Sequence, residues 1–222
     1  MHLFKDRIFI KKCLHCKALS FNLQVRNQLF IMRHGETDWN REKRWQGHLD
    51  ICLNDNGRQQ ALLVAAKLNS KNIKFIISSD LMRCKETAQI IAKELKTNLI
   101  FDSNLRERNI GIVQGLTLLE SEQKFGKDIV EYWRNNYKAK LPRGESLEEL
   151  EDRILRRFHY YKSEYAYKNT LIITHGGPMR FIQKYIRNLP FEDMSQCRFK
   201  NGEIIKLKIS ECCKKCGNEI IL

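Results

Sequence analysis

The sequence predicts an α/β fold in which helices cover both faces of a mostly parallel central sheet. Between residues 29 and 209, short runs rich in isoleucine, leucine and phenylalanine alternate with segments of helical periodicity. This alternation indicates strand–helix units packed around one core. Composition agrees, because 42% of the 222 residues are hydrophobic and 30% are charged, as is typical of globular domains. A disordered, collagen-like or fibrous protein is thereby excluded.

Four apolar runs are candidate strands, at residues 29–32, 75–78, 170–174 and 203–209. The first three lack polar alternation, which indicates strands buried on both faces. Such strands belong in the middle of a sheet that helices cover on both sides. No internal repeat interrupts the series.

Candidate helices lie between these strands. One opens near Gly57, and its apolar residues share a face at helical spacing: Ala61, Val64, Ala65 and Leu68. A second is predicted over residues 83–95. Residues 117–120 and 146–149 both fit the capping-box pattern of a helix start. Pro178 suits the first turn of a last helix.

Basic residues and histidines follow three of the predicted strands. Arg33 and His34 come directly after the first strand, Arg83 follows the second by a short turn, and His175 follows residues 170–174. The carboxyl ends of parallel strands converge on one crevice, so we expect all four side chains there. Glycines at 176 and 177 would let backbone N–H groups approach a ligand in that crevice.

Two histidines and two arginines in one crevice favour phosphoryl transfer to a histidine. A neutral imidazole is a competent nucleophile, and fixed cations can neutralise the charge on the phosphoryl oxygens without a magnesium ion. The leaving alkoxide needs a proton, for which Glu107 is the candidate donor. The alternative for Glu107 is a solvated carboxylate paired with Arg106 or Arg108.

Residues 29–40, centred on Arg33, His34 and Gly35, closely resemble the signature of the histidine phosphatase superfamily, also called the phosphoglycerate-mutase-like family. Six further motifs resemble that family in the same order, at residues 44–47, 53–61, 78–88, 105–107, 144–146 and 174–177. The resemblance spans residues 29–209. It implies a three-layer α/β/α fold and a covalent phosphohistidine intermediate, with no cofactor for catalysis.

The resemblance also assigns roles residue by residue. It implies a catalytic set made of a nucleophile, a proton donor and a phosphate pocket: His34, Glu107, and Arg33, Arg83 and His175. It implies further substrate contacts at three positions: Asn40, Gly47 and Gly176. Because every catalytic position is filled, we expect an active enzyme.

Two reactions share this machinery, hydrolysis of a small phosphorylated metabolite and cofactor-dependent phosphoglycerate mutation. Mutases of the family usually carry paired arginines where this chain has Arg134 and Asn135, and a lysine where it has residues 117–119. The loss of two cations for a carboxylate favours a phosphatase, with the mutase as the alternative. Specificity is expected from residues 116–142, whose basic residues meet a second anionic group or face solvent: Lys124, Lys127, Arg134, Lys138 and Lys140.

The eight cysteines fall into two groups. Cys52, Cys84 and Cys197 are isolated, and we expect them to be buried as small apolar residues. The terminal pairs resemble two halves of a zinc ribbon, with four thiolate ligands: Cys13, Cys16, Cys213 and Cys216. Reduced cysteines or a redox pair at each end are the alternatives, and His15 and Cys212 are spare ligands.

This reading divides the chain into three parts. Residues 1–28 and 210–222 form a small zinc-ribbon-like β extension, and residues 29–209 form the catalytic domain. Chain termini often lie close together, so a ribbon split by an inserted domain is feasible. Zinc would be structural in such a ribbon and would take no part in catalysis.

The charge balance leaves a competing class of function open. The chain has 40 basic and 26 acidic residues, a net charge of +14. Basic termini around the cysteine pairs would suit a zinc-ribbon module that binds nucleic acid or protein, although few aromatic residues accompany them. No apolar run is long enough to cross a bilayer and no signal peptide is evident, so a soluble cytoplasmic protein without a membrane partner is expected.

Overall fold

The computed structural model describes residues 27–165, 168–211 and 218–221. Within these residues, six strands form one sheet in the order β3-β2-β4-β1-β5-β6. The strands are β1 (Asn27–Arg33), β2 (Phe75–Ser78), β3 (Asn98–Phe101), β4 (Thr170–Thr174), β5 (Ile204–Glu211) and β6 (Asn218–Ile221). The first four strands are parallel, while β5 runs antiparallel to β1 and β6 antiparallel to β5. The predicted mostly parallel sheet is confirmed.

Seven α-helices occur in the described residues. They are α1 (Asp38–Arg41), α2 (Asp55–Leu68), α3 (Met82–Leu95), α4 (Leu118–Phe125), α5 (Lys127–Asn135), α6 (Leu147–Tyr165) and α7 (Gly176–Arg187). The capping box that begins α4 at Thr117 is formed as predicted. Ser146 and Glu149 exchange the same pair of hydrogen bonds at the start of α6. No helix in this part of the chain is long and apolar enough to cross a membrane.

Helices pack on both faces of the sheet, which confirms the predicted three layers. Side chains alternate along β1, so Leu29 and Ile31 face one side while Phe30 and Met32 face the other. The first side packs against apolar residues of α6 and α7. The second packs against α2 and α3, including the predicted apolar face of α2. Each face of the sheet therefore has its own hydrophobic core, which packs the sheet against a layer of helices.

Two features differ from the sequence-based expectations. Strand β3 was not predicted, because it is a short edge strand whose side chains are mostly exposed and so lacks a burial pattern. Cys84 and Cys197 are buried as expected, whereas the prediction for Cys52 is wrong, since this residue is exposed. Its position in an irregular segment before α2 leaves it without a core to enter.

The strand pair at the carboxyl end belongs to the central sheet. β5 and β6 are antiparallel, and Glu211 pairs with Asn218. The predicted zinc ligands lie outside the described residues: Cys13, Cys16, Cys213 and Cys216. Within the described segments, no group of three histidine, cysteine or acidic residues could hold a metal. The zinc ribbon and the three-part division of the chain stay predictions.

A close backbone contact fixes the loop after β1 against α2. A Cβ added to Gly57 would lie 2.1 Å from the carbonyl oxygen of Glu36. Asn54 caps α2 by accepting from the Gly57 N–H, and its own N–H donates to that same Glu36 carbonyl. The loop after β1, which begins with His34, therefore needs a residue without a side chain at position 57.

We expect Gly57→Ala to lower the free energy of unfolding by about 2–3 kcal/mol, because backbone atoms must shift to admit the methyl group. Urea denaturation would measure the change. The control is Gln59→Ala, an exposed position on the same helix, where we expect a change within about 0.5 kcal/mol. Equal stabilities of the two variants would contradict the close contact.

Candidate active site

The strand register places the two predicted histidines side by side. Arg33, the last residue of β1, pairs with Thr174 of the parallel strand β4. The next residue of each strand is therefore a histidine at the same sheet edge, and the His34 N–H donates to the Thr174 carbonyl over 3.0 Å. The rings of His34 and His175 lie 5.2 Å apart between centroids, in an edge-to-face arrangement.

His34 is held in one neutral tautomer. Its Nδ1 lies 2.7 Å from the Gly35 carbonyl oxygen, and because a carbonyl only accepts, Nδ1 carries the proton. Burial lowers the pKa of His34 well below its ordinary value, and the cations of Arg83 and Arg33 lower it further. Nε2 is consequently an unprotonated nitrogen with a free lone pair.

Arg83 is almost fully buried and is oriented by three acceptors. It donates to the Gly47 and Leu49 carbonyls, at 2.8 and 2.9 Å, and through Nε to Nδ1 of His175 at 3.2 Å. Nε2 of His175 then donates to Ser79 Oγ at 2.9 Å. Burial, followed by the charge of Arg83, lowers the pKa of His175 well below its ordinary value. These bonds use three of the five N–H donors of Arg83.

Arg33 and Asn40 each keep donors available at the same edge. Arg33 donates to the Phe199 carbonyl through Nη1, and its buried Nε has no partner. The side-chain oxygen of Asn40 accepts from Thr37 and from Asn201, which directs its NH₂ group elsewhere. An unpartnered buried guanidinium N–H is costly unless an anion binds there.

Glu107 is placed by two backbone N–H groups. Its carboxylate oxygens accept from Arg108 at 2.9 Å and from Gly177, in the first turn of α7, at 3.1 Å. A Cβ on Gly177 would collide with this carboxylate at 2.2 Å. The structure does not show the alternative, an ion pair of Glu107 with Arg106 or Arg108. Arg106 instead pairs with Asp80, and the Arg108 guanidinium donates to three backbone carbonyls.

These residues line one cavity of about 900 Å³. The predicted site residues along its wall are Arg33, His34, Asn40, Gly47, Arg83 and Glu107. His175 lies behind His34 and Arg83, where it contacts both. Gly176 lies against Arg33, since a Cβ there would come 3.7 Å from its Nε. The structure therefore gathers the whole predicted set at one sheet edge.

The cavity also contains residues that sequence reasoning missed. Arg180 of α7 and the apolar residues Phe191 and Met194 form one wall. Asn201 holds Asn40 and the His34 carbonyl from the segment before β5. These positions follow no strand and carry no motif, so only the tertiary fold reveals them.

The predicted specificity segment contributes to the cavity unevenly. Val130, Trp133 and Leu141 of this segment line the wall, together with Arg134 and Asn135. The four lysines are absent from the lining; Lys140 instead pairs with Glu149 over 2.6 Å, and Lys124 lies over the Phe125 ring. The lysines of this segment therefore face solvent, whereas Arg134 faces the cavity.

A neutral, oriented histidine beside buried arginines is an arrangement suited to phosphoryl transfer. The profile of the histidine phosphatase superfamily (branch 1) matches residues 29–217. The chain belongs to this superfamily, which confirms the resemblance carried by its motifs.

Individual relatives include both mutase-like proteins and phosphatases. A probable phosphoglycerate mutase, GpmB of Escherichia coli, is 34% identical over 187 residues, which are 83% of this chain and 86% of that protein. The mycobacterial glucosyl-3-phosphoglycerate phosphatase in complex with VO3 is 26% identical, with a TM-score of 0.74 over 87% of this chain and 95% of that one. YhfR of Bacillus stearothermophilus is 25% identical, with a TM-score of 0.77 over 83% and 92% of the two chains.

The two buried histidines predict a pH dependence of stability. Both have a lowered pKa in the fold, whereas in the unfolded chain they protonate below about pH 6.5. The unfolded chain then binds more protons, so the free energy of unfolding falls as the pH drops below about 6.5. Each histidine contributes a slope of up to about 1.4 kcal/mol per pH unit. Above that pH both are neutral in either state and contribute no slope.

Urea denaturation between pH 5 and 8, in phosphate-free buffer, measures this slope. We expect His175→Gln to be less steep than wild type by up to about 1.4 kcal/mol per pH unit between pH 5 and 6.5. Identical slopes in the two proteins would contradict a neutral, buried His175.

Proposed function

We propose that the protein is a phosphomonoesterase that hydrolyses a small phosphorylated metabolite through a phosphohistidine on His34, with Glu107 as the proton donor. The observation that carries this proposal is the state of His34. Its Nδ1 proton is committed to the Gly35 carbonyl and its pKa is lowered, so Nε2 is free to attack phosphorus at neutral pH.

In the proposed reaction, the N–P bond to His34 forms as the ester P–O bond breaks. Arg33 and Arg83 stabilise the charge on the phosphoryl oxygens. The Nε of Arg33, which has no hydrogen-bond partner among the described residues, can donate to one of these oxygens. Glu107 gives its proton to the leaving alkoxide. Water then attacks the phosphohistidine, Glu107 takes a proton from that water, and inorganic phosphate leaves.

The residues at the cavity wall favour hydrolysis over mutation. Asn135 lines the cavity at the position where mutases of the family usually carry a second arginine. Arg44, another basic residue of the wall, is bound to Glu120 by two hydrogen bonds and to the Gly115 carbonyl. At these two positions the wall therefore lacks the pair of unengaged arginines that would bind a substrate carboxylate.

The mutase is the second candidate, and the similarity to the probable phosphoglycerate mutase GpmB favours it. Purified protein would be assayed in parallel for inorganic phosphate release and for interconversion of 2- and 3-phosphoglycerate, with and without a bisphosphoglycerate primer. We expect phosphate release to be the faster reaction. Interconversion that far exceeds phosphate release would overturn the phosphatase proposal in favour of the mutase.

A zinc-ribbon module that binds nucleic acid or protein is the candidate from another class. Its ligands lie outside the described residues, so it rests on the sequence pattern alone. Zinc content of protein purified without chelator tests it, and less than about half an equivalent would contradict it. A salt-dependent gel shift that persists in His34→Ala would support nucleic-acid binding.

A further inference from the structure

All three tryptophans of the chain line the cavity that contains His34. Trp39 and Trp45 come from the segment after β1, and Trp133 comes from α5. Each is only partly buried, so each keeps part of its ring open. Tryptophan is rare and is favoured where a protein surface binds a partner or ligand.

The cavity is much larger than a phosphoryl group requires. Its volume of about 900 Å³ is near the upper end for sites that enclose drug-sized ligands. One part of its wall is apolar, with side chains from several elements: Ile110, Val113, Val130, Leu141, Leu147, Leu150 and Met194. The group attached to the phosphate must fill this apolar space.

Three of the basic residues on the wall are already engaged by neighbouring protein groups. Arg108 donates to the carbonyls of Trp133, Ala139 and Glu145, and Arg44 is bound to Glu120. The guanidinium of Arg134 lies over the Trp45 ring, 6.0 Å from its centroid. The guanidinium covers that face of the indole, and a planar ring could stack on the guanidinium in turn.

This inference rests on the proposed phosphatase function. We propose that the alcohol part of the substrate carries a planar aromatic ring, which packs against Trp45 and Trp133 while its phosphate meets His34. Stacking on an aromatic side chain contributes about 1–3 kcal/mol, so the ring should raise kcat/KM about 10-fold or more over the same ester without it.

Two substrate pairs with matched leaving groups test the proposal. One pair is 2-phenylethyl phosphate and ethyl phosphate; the other is adenosine 5′-monophosphate and ribose 5-phosphate. We expect kcat/KM to favour the ring-bearing member of at least one pair by about 10-fold. We expect Trp133→Leu to reduce that ratio toward one, whereas Tyr132→Leu, an exposed neighbour outside the cavity lining, should preserve it.

The outcomes separate the ring site from the phosphatase activity. If p-nitrophenyl phosphate is hydrolysed but both pairs give ratios near one, the ring site is wrong and the proposed function stands. A ratio that survives Trp133→Leu also overturns the ring site. If no ester is hydrolysed, the proposed function itself fails.

A second, independent inference concerns the segment that carries Glu107. Arg153 of α6 donates to the carbonyls of Asn104, Arg106 and Glu107, at 2.7, 3.0 and 3.2 Å. The same guanidinium pairs with Glu145 over 2.6 Å, with both side chains largely buried. A bidentate, largely buried pair of this kind fixes geometry as well as charge.

Glu145 fastens the segment on its other side. Its Oε1 accepts from the Asn109 N–H at 2.8 Å, and the Glu145 N–H donates to the Asn109 carbonyl at the same distance. Five hydrogen bonds therefore connect the backbone of residues 104–109 to Arg153 and Glu145. We infer that Arg153 and Glu145 are positioning residues, which hold the Glu107 carboxyl where it can protonate the leaving group.

The test is leaving-group dependence, which a merely structural role would not change. A displaced acid slows esters of alkyl alcohols, which leave as protonated alcohols, more than p-nitrophenyl phosphate, whose phenolate needs no proton. We expect Arg153→Met to lower kcat/KM, which reports the step in which the alcohol leaves, at least about 10-fold more for ethyl phosphate than for p-nitrophenyl phosphate. Arg156→Met is the control, since Arg156 is an exposed residue of the same helix.

If Arg153→Met does not fold, Glu145→Gln provides the same comparison. Equal losses on both substrates would overturn the inference. The assignment of Glu107 is tested separately, because Glu107→Gln must itself show selective loss on ethyl phosphate. If Glu107→Gln shows it and neither the Arg153 nor the Glu145 variant does, only the positioning role is wrong.

Discussion

We expect His34→Ala to lower phosphate release by at least about a thousandfold, because the variant lacks the atom that attacks phosphorus. Two neighbouring groups, His175 and Cys84, are not placed to replace it. Both ring nitrogens of His175 are already engaged, by Arg83 and by Ser79. The Cys84 thiol beside it is buried and its pKa is raised to about 12, so it is not a thiolate nucleophile at neutral pH.

Steady-state phosphate release from p-nitrophenyl phosphate measures this loss. The control is His159→Ala, which removes an exposed histidine on α6 and should retain wild-type activity. Circular dichroism of both variants would establish that the fold is intact. A His34→Ala protein with more than a tenth of wild-type activity would contradict nucleophilic catalysis by His34.

Glu107→Gln is expected to produce the second large effect, a loss of about 10²–10⁴ in kcat/KM on alkyl phosphates. The amide keeps the size of the carboxyl group but cannot deliver its proton to the alkoxide. It also cannot accept from both Arg108 and Gly177, as the carboxylate oxygens do, so a modest loss of stability should accompany it.

The control for this variant is Glu94→Gln, an exposed position on α3, which should leave kcat unchanged. The loss in Glu107→Gln should be far smaller on p-nitrophenyl phosphate, whose leaving group is stable as an anion. Equal losses on alkyl and aryl esters would show that Glu107 does not act as the acid.

The buried middle of the fold was predictable, because three continuous apolar runs define central parallel strands. Once these strands are parallel, their following residues must share an edge, and this brings Arg33, His34 and His175 together. Strand β3 was not predictable in this way, since an exposed edge strand carries no burial pattern. The exposure of Cys52 likewise depends on a loop conformation that no periodicity encodes.

The long-range contacts that hold the site residues in place could not be predicted from the sequence either. Arg153 binds the segment around Glu107 from another element, 46 positions along the chain, and no local spacing signals such a contact. The clustering of three tryptophans on one cavity depends in the same way on where α5 packs. The zinc ligands at the termini stay predictions from sequence spacing.

The most direct measurement of the central claim is trapping of the phosphorylated enzyme. Protein mixed briefly with labelled p-nitrophenyl phosphate would be denatured in alkali, digested and mapped by mass spectrometry. If His34 is the nucleophile, we expect an acid-labile phosphate on the peptide that contains His34. This phosphopeptide should also be found in the Glu107→Gln variant and should be absent from the His34→Ala variant. Phosphate on another residue, or turnover by wild-type enzyme with no phosphate trapped on His34, would contradict it.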